Sequence, residues 1–280
     1  MSGASGFVGS YLKESFVGRG WTVVPLGRDV FRSLDLLQER LKDADVVINL
    51  AGAPIAARWT EAYKKEMYSS RVDTTRSLVT AFAGLEAKPR LFVSTSAIGI
   101  YPPDVPCDEG AGILADDFLG RLAQDWEREA IQAKESGIRT VIFRFGIVLG
   151  KGGGALQKML IPFKLGLGGV IGDGTQPFSW VHIEDLAEAF LFAIGQERCN
   201  GIYNLTAPNP VTNAAFTKAL AGALHRPAVI PVPTFILRLQ LGEGATVLIK
   251  GQHVLPRRLL ENGFKFRFPR IEDALRNLFP

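Results

Sequence analysis

Short apolar, β-branched runs alternate along this chain with stretches of helical periodicity. Residues 21–26 (WTVVPL), 46–50 (VVINL), 91–95 (LFVST) and 140–145 (TVIFRF) read as strands, with Pro25 closing the first of them. Apolar positions Phe7, Val8, Tyr11, Leu12, Phe16 and Val17 recur at helical spacing over residues 7–18. Further helices are expected over 34–41, 61–82 and 118–136. A strand near Val30 and Phe31 can only be vestigial. This βα alternation predicts an α/β chain: a Rossmann-like, doubly wound parallel sheet with helices on both faces.

After Gly146 the pattern loosens, and glycine and proline become dense, as in GKGGG at 150–154. Residues 179–183 and 202–205 read as further strands and 212–224 as a helix, with Glu184 and Asp185 suited to a helix N-terminus. The expected division is a nucleotide-binding domain over 1–150, joined by strands from 178–206. A smaller substrate-side region spans mainly 151–280. Its last part, 234–280, is too small to fold alone.

Residues 3–9, GASGFVG, form a GxxGxxG loop. Gly3 permits a tight turn, Gly6 lets backbone amides approach a pyrophosphate, and Gly9 lets the next helix pack closely. The helix N-terminus then faces the phosphates, with Ser5, Phe7 and Val8 beside them. Such a loop follows a buried strand, and only Met1 and Ser2 precede it. The first strand is thus missing from the chain. The expectation is an apolar, β-branched run just upstream, whose loss leaves a gap between its neighbours and unpaired backbone on both sides.

Arg28 follows the 21–26 run, where an arginine accommodates a 2′-phosphate and so favours NADP; the adjacent Asp29 leaves NAD open. Leu50, Ala51 and Gly52 end the next strand with little bulk, so that a nucleotide can lie across the carboxyl edge. Composition adds limits. Among 280 residues, 47% are hydrophobic and 21% charged, an ordinary globular balance. The net charge of +4 comes from interspersed residues with no basic block, which argues against nucleic-acid binding. Two cysteines and three scattered histidines offer neither a disulfide framework nor a metal site. No targeting segment or long apolar span is present, so a cytoplasmic location without membrane contact is the default expectation.

The glycine loop, NLAGA at 49–53, STSA at 94–97, RFGIVLG at 144–150 and WVHIEDLA at 180–187 together resemble the extended short-chain dehydrogenases/reductases of the NAD(P)-dependent epimerase/dehydratase superfamily. The closing segment PVPTFILRLQLGEGATVLIKGQHVLPRRLLENGFKFRFP resembles the YfcH-type epimerase-family proteins, some of which carry a SulA-like cell-division label. The resemblance implies a Rossmann fold, a cofactor contacting Ser94, Phe145 and Gly146, and a substrate-orienting serine at Ser96. It also implies a Tyr-x-x-x-Lys pair on the helix after the serine strand. This chain departs there. With Glu127 as anchor in FLGRLAQDWEREA, the tyrosine position is Leu119 and the lysine position Ala123, and neither moves a proton. The family's helical asparagine is replaced by Arg71. The YfcH-type proteins share this loss.

Another acid is therefore needed for turnover. Tyr101 is the candidate, with Arg71 or Arg144 lowering its pKa. Packing is the alternative for Tyr101, and for Arg144 both anion recognition and a structural salt bridge stay open. His182 has a suitable intrinsic pKa, but its context reads as structural. Lys151 with Gly152, Gly153 and Gly154 forms either a phosphate cradle or a flexible substrate loop. Gln252, His253, Pro256, Arg257 and Arg258 are implied to close over the pocket. Two functions remain: an NADP-dependent oxidoreductase or epimerase with a non-standard acid acting on an unidentified small molecule, or a catalytically inactive NADP-dependent sensor. Substrate and oligomeric state are unspecified.

Overall fold

The computed structural model describes residues 1–103 and 105–280. In chain order the elements are α1 (Phe7–Val17), α2 (Leu34–Leu41), β1 (Val46–Asn49), α3 (Glu61–Tyr68), α4 (Thr74–Ala83), β2 (Leu91–Ala97), β3 (Pro106–Cys107) and α5 (Phe118–Ile131). There follow β4 (Arg139–Phe145), β5 (Ile147–Leu149), α6 (Gly154–Lys164), β6 (Pro177–Phe178), β7 (Trp180–His182), α7 (Ile183–Gly195), β8 (Gly201–Leu205), β9 (Val211–Thr212) and α8 (Asn213–Leu224). The chain closes with α9 (Thr234–Leu241), α10 (Thr246–Ile249), β10 (His253–Val254), α11 (Arg257–Glu261) and α12 (Ile271–Leu278).

The central sheet is parallel, in the order β1-β2-β4-β8. Alternation along its strands feeds two cores. Ile48, Val93, Val141 and Phe143 face Leu12 and Phe16 of α1 and Leu186 and Phe190 of α7. Val47, Phe92 and Ile142 face Leu37 and Leu41 of α2, Leu78 and Phe82 of α4, and Ala130 of α5. Both faces are covered, as expected for strands of near-continuous apolar sequence.

Two expected strands are corrected. Residues 21–25 form no regular element and pair with no strand, and only Leu26 forms a bridge. The reason lies next door. Ser2 bridges Leu26 on one side and Asn49 on the other, both in parallel, so Met1 and Ser2 occupy the seat of a central strand for two residues only. The Met1 amine donates to the Val24 carbonyl at 2.7 Å, Leu26 N–H to Met1 O at 2.8 Å, and Ser2 N–H to Ile48 O at 2.9 Å. Residues 21–23 have no strand beside them, and an open groove of about 1100 Å³ runs between them and Val46, Val47 and Ile48. Burial lowers the Met1 amine pKa to about 6. At Val30–Arg32 there is a 3₁₀ turn instead of a vestigial strand.

The helix expected over 61–82 is α3 and α4 joined by a π-helical segment, Ser69–Asp73. The C-terminal residues pack on the rest: Phe268, Ile271, Leu275 and Leu278 share a core with Phe216 and Leu220 of α8. Asp185 of α7 pins this segment by accepting the Arg267 and Phe268 amides at 2.7 and 3.0 Å.

His182 is fully buried, its ring 4.0 Å from that of Phe268, and its Nδ1 accepts the Glu184 amide at the start of α7. Burial, helped by the Arg267 charge, lowers its pKa from 6.5 to about 4. The folded state therefore resists protonation, so His182 contributes stability above pH 6.5 that is lost as pH falls toward 4. Between pH 7 and pH 5 the loss should be about 2 kcal/mol. His182→Asn, which keeps a capping oxygen, is expected to flatten this part of the urea-denaturation profile against pH. An unchanged slope would refute it.

Candidate functional site

A cavity of about 450 Å³ opens at the carboxyl edge of the sheet. Gly3, Gly6, Phe7, Val8 and Gly9 form one side, Leu50, Ala51 and Gly52 another, and Phe145 and Gly146 a third. Ser96 also reaches it. Sequence reasoning named all of these. Four other candidates are elsewhere. Ser5 and Arg28 are exposed outside it; Ser94 is buried in β2 with its Oγ unpartnered; Tyr101 is fully buried in a cluster with Ile100, Cys107 and Val254.

The glycine loop is shaped by close approach. Gly3 adopts φ +64°, and a side chain there would meet the Leu50 carbonyl. A Cβ at Gly9 would collide with the backbone of Gly3 and Ala4. Gly6 caps α1 with no side-chain acceptor, and the first turn holds no acidic residue. Among the described residues nothing accepts the Phe7 and Val8 amides. Uncapped amides at a helix N-terminus, reached across glycine, suit the pyrophosphate of a dinucleotide. The glycines at 150, 153 and 154 do other work: each packs on the Phe7 ring.

Below the loop a buried polar chain ties the elements together. Ser2 Oγ donates to Asn49 Oδ1 at 2.6 Å, and Asn49 Nδ2 donates to Thr75 Oγ1 at 2.8 Å. Trp126 Nε1 donates to the same Thr75 oxygen at 2.9 Å. The asparagine of NLAGA thus holds the loop, β1, α4 and α5 in register.

The substrate end of the cavity is largely apolar. Leu119 and Ala123, at the positions of the missing tyrosine and lysine, line it with Leu122 and Trp126 of α5. Residues from α6, β6 and the 246–252 segment complete it, among them Met159, Phe178, Val247 and Leu248. Sequence reasoning missed most of these, because nothing in their spacing marks them. It expected Gln252, His253, Pro256, Arg257 and Arg258 to close over the pocket, and of these only Gln252 lines it. Ser179 fixes that segment, donating to Gln252 O at 2.8 Å and accepting the Val254 amide at 3.0 Å.

Ser96 is 3% exposed, and its hydroxyl donates to Glu127 Oε1 at 2.7 Å. Glu127 is in turn clamped by Arg144, Nε to Oε1 and Nη2 to Oε2, each at 2.7 Å. Arg144 also donates to the Tyr101 hydroxyl at 2.6 Å, and that hydroxyl donates to Asn204 Oδ1 at 2.9 Å. This settles the two readings of Arg144 in favour of a buried salt bridge. Burial alone would lower its pKa, but the Glu127 hydrogen bonds and charge outweigh this and the net direction is up. Tyr101 is corrected. It is fully buried and saturated with partners, and burial raises its pKa despite the nearby Arg144 charge. It does not line the cavity.

Among the described residues no helix is long and apolar enough to cross a membrane. The model of the NAD dependent epimerase/dehydratase family matches residues 1–206, and a domain of unknown function, DUF1731, matches residues 232–278. Epimerase family protein SDR39U1 of Mus musculus is 39% identical over 288 residues, covering 99% of this chain and 98% of its own. Epimerase family protein YfhF of Bacillus subtilis (strain 168) is 37% identical over 293 residues, covering 99% and 96%. The crystal structure of human SDR39U1 (isoform2) with NADPH aligns at a TM-score of 0.92 and 36% identity, over 99% of this chain and 97% of that one. A UDP-glucuronic acid 4-epimerase from Bacillus cereus, at 17% identity and a TM-score of 0.79, shares the fold.

Proposed function

Because the chain belongs to the NAD dependent epimerase/dehydratase family, we propose that it binds NADP(H) and acts as an atypical oxidoreductase or epimerase on a small, largely apolar molecule. The observation that carries this reading is the uncapped start of α1 meeting Gly3, Gly6 and Gly9 at the mouth of an apolar cavity. The loop amides would hold the pyrophosphate, Leu50, Ala51 and Gly52 the ribose side, and Phe145 and Gly146 the nicotinamide side. The cofactor would supply or accept hydride there. Arg28, exposed and outside the cavity, is free to meet a 2′-phosphate; the NADPH in the human relative supports that choice.

The chain's own residues then set the chemistry. Leu119, Leu122, Ala123 and Trp126 present no acid. Ser96 has committed its proton to Glu127, so its free lone pairs can accept a hydrogen bond from a substrate hydroxyl or amine. It does not orient a carbonyl as a donor. Any proton must come from solvent or from the substrate itself.

Calorimetric titration of NADPH and NADH tests the reading. NADPH should bind, and more tightly than NADH, with Arg28→Ala narrowing the difference. Consumption of NADP across a panel of small alcohols and amines, slowed by Ser96→Ala, is the expected activity. Tight binding with no consumption would favour a sensor. No binding of either dinucleotide would sink both.

A further inference from the structure

Arg71 is 7% exposed and lines the cavity, yet among the described residues it has no carboxylate partner. Its Nη1 donates to Met67 O at 3.2 Å and its Nη2 to Ala53 O at 2.8 Å. Two of five N–H donors are thus used. The guanidinium lies against Gly52, where a Cβ would stand 3.0 Å from Cζ, and 5.4 Å from the Trp126 ring centroid. Burial lowers its pKa to about 10, so it stays charged at neutral pH. Arg144 is buried as deeply but is neutralised by Glu127.

A buried cation without a counter-charge is strongly unfavourable, and an anionic ligand would supply the missing charge. The local backbone supports this. Arg71 sits in the middle of the Ser69–Asp73 π-helical segment between α3 and α4, an irregularity common at functional sites. The surrounding charges agree. Lys250 lines the same cavity, and the one acidic lining residue among those described, Asp117, spends its Oδ1 on the Gly120 amide as the cap of α5.

We propose that Arg71 is the anion seat of the cavity, its free N–H groups receiving a carboxylate or phosphate group of the bound molecule. This rests on the cavity being the dinucleotide cleft. The anion belongs either to the dinucleotide or to the second ligand, and the two sources are separable.

The test is titration calorimetry on the full chain: NADPH first, then benzoate, benzamide and inorganic phosphate on the NADPH-saturated protein. Arg71→Met is expected to weaken NADPH, or benzoate or phosphate, at least tenfold while leaving neutral benzamide unchanged. Loss on NADPH assigns the anion to the dinucleotide; loss on benzoate or phosphate alone assigns it to the second ligand. Arg71→Lys should retain part of the affinity, and it carries the comparison if the methionine variant does not fold. The melting temperature of Arg71→Met should equal or exceed that of the wild type, since an uncompensated charge is gone. Unchanged binding in every arm, or a lowered melting temperature with binding intact, overturns the inference. A wild-type chain that binds no NADPH instead defeats the cofactor reading, and the benzoate and phosphate arms on the unloaded chain still judge Arg71.

Discussion

Glu127→Ala is expected to lower the free energy of unfolding by about 3–5 kcal/mol, the usual consequence of removing one partner from a buried ion pair. The substitution leaves the Arg144 guanidinium buried with two lost charge-assisted bonds and strips Ser96 of its acceptor. The cost comes from stranding the charge more than from losing the attraction. The double variant Glu127→Met with Arg144→Met should therefore recover much of the loss, because neither charge is then buried alone. Urea denaturation of the two single variants and the double variant measures this. A Glu127→Ala loss below about 1 kcal/mol, within the range of an exposed pair, would show that solvent reaches the site.

The same network explains why the serine strand was only half legible in the sequence. The motif places Ser96 at the cavity, and the structure does the same. The motif says nothing of which way the hydroxyl proton points; that depends on Glu127, one helix away and 31 residues later. Tyr101 was a reasonable choice of acid from its proximity to Ser96. The turn Ile98–Ile100 carries it past the carboxyl edge into the core with Ile100, Cys107 and Val254. A short segment of unpredictable direction therefore decided the issue, and periodicity carries no information about such turns. Arg71 was named as a substituted position, but its lack of a partner is a property of three-dimensional packing.

The fold was more legible because sheet strands buried on both faces are rich in apolar, β-branched and aromatic residues. Residues 46–49, 91–97, 139–145 and 201–205 show this directly and all lie in the central sheet. Residues 21–26 have the same composition and yet do not form a strand. A strand is a paired object, and what this segment could pair with is a two-residue stub. Trp21 and Val24 are left exposed as a result. Composition reported what the segment is suited to, and the neighbour decided what it became. The π-helical segment at Ser69–Asp73 was unreadable for a different reason: its extra residue slips the apolar face by a single position, and the polar residues Ser69, Ser70 and Asp73 there leave no apolar mark of the slip.

Gly9→Ala tests the cofactor loop most sharply, with an expected loss of at least about a hundredfold in NADPH affinity, roughly 2.7 kcal/mol. The added methyl group would fall on the Gly3 carbonyl and the Ala4 backbone, neither of which can rotate away as a side chain would. The loop must lift or α1 must retreat from it. Either movement takes the Phe7 and Val8 amides out of line with a bound pyrophosphate, and misplaced donors lose their advantage over water. Folding should survive, because Leu12 and Phe16 still anchor α1 on the sheet. Gly222→Ala is the control: it lies within α8, away from the cavity, and a Cβ there meets no atom within 4 Å. Alanine at such a helical position should stabilise slightly, by about 0.5–1 kcal/mol, and leave binding unchanged. Wild-type NADPH affinity in a folded Gly9→Ala protein would mean that the dinucleotide does not approach through this loop, and the site would have to be sought elsewhere on the sheet edge.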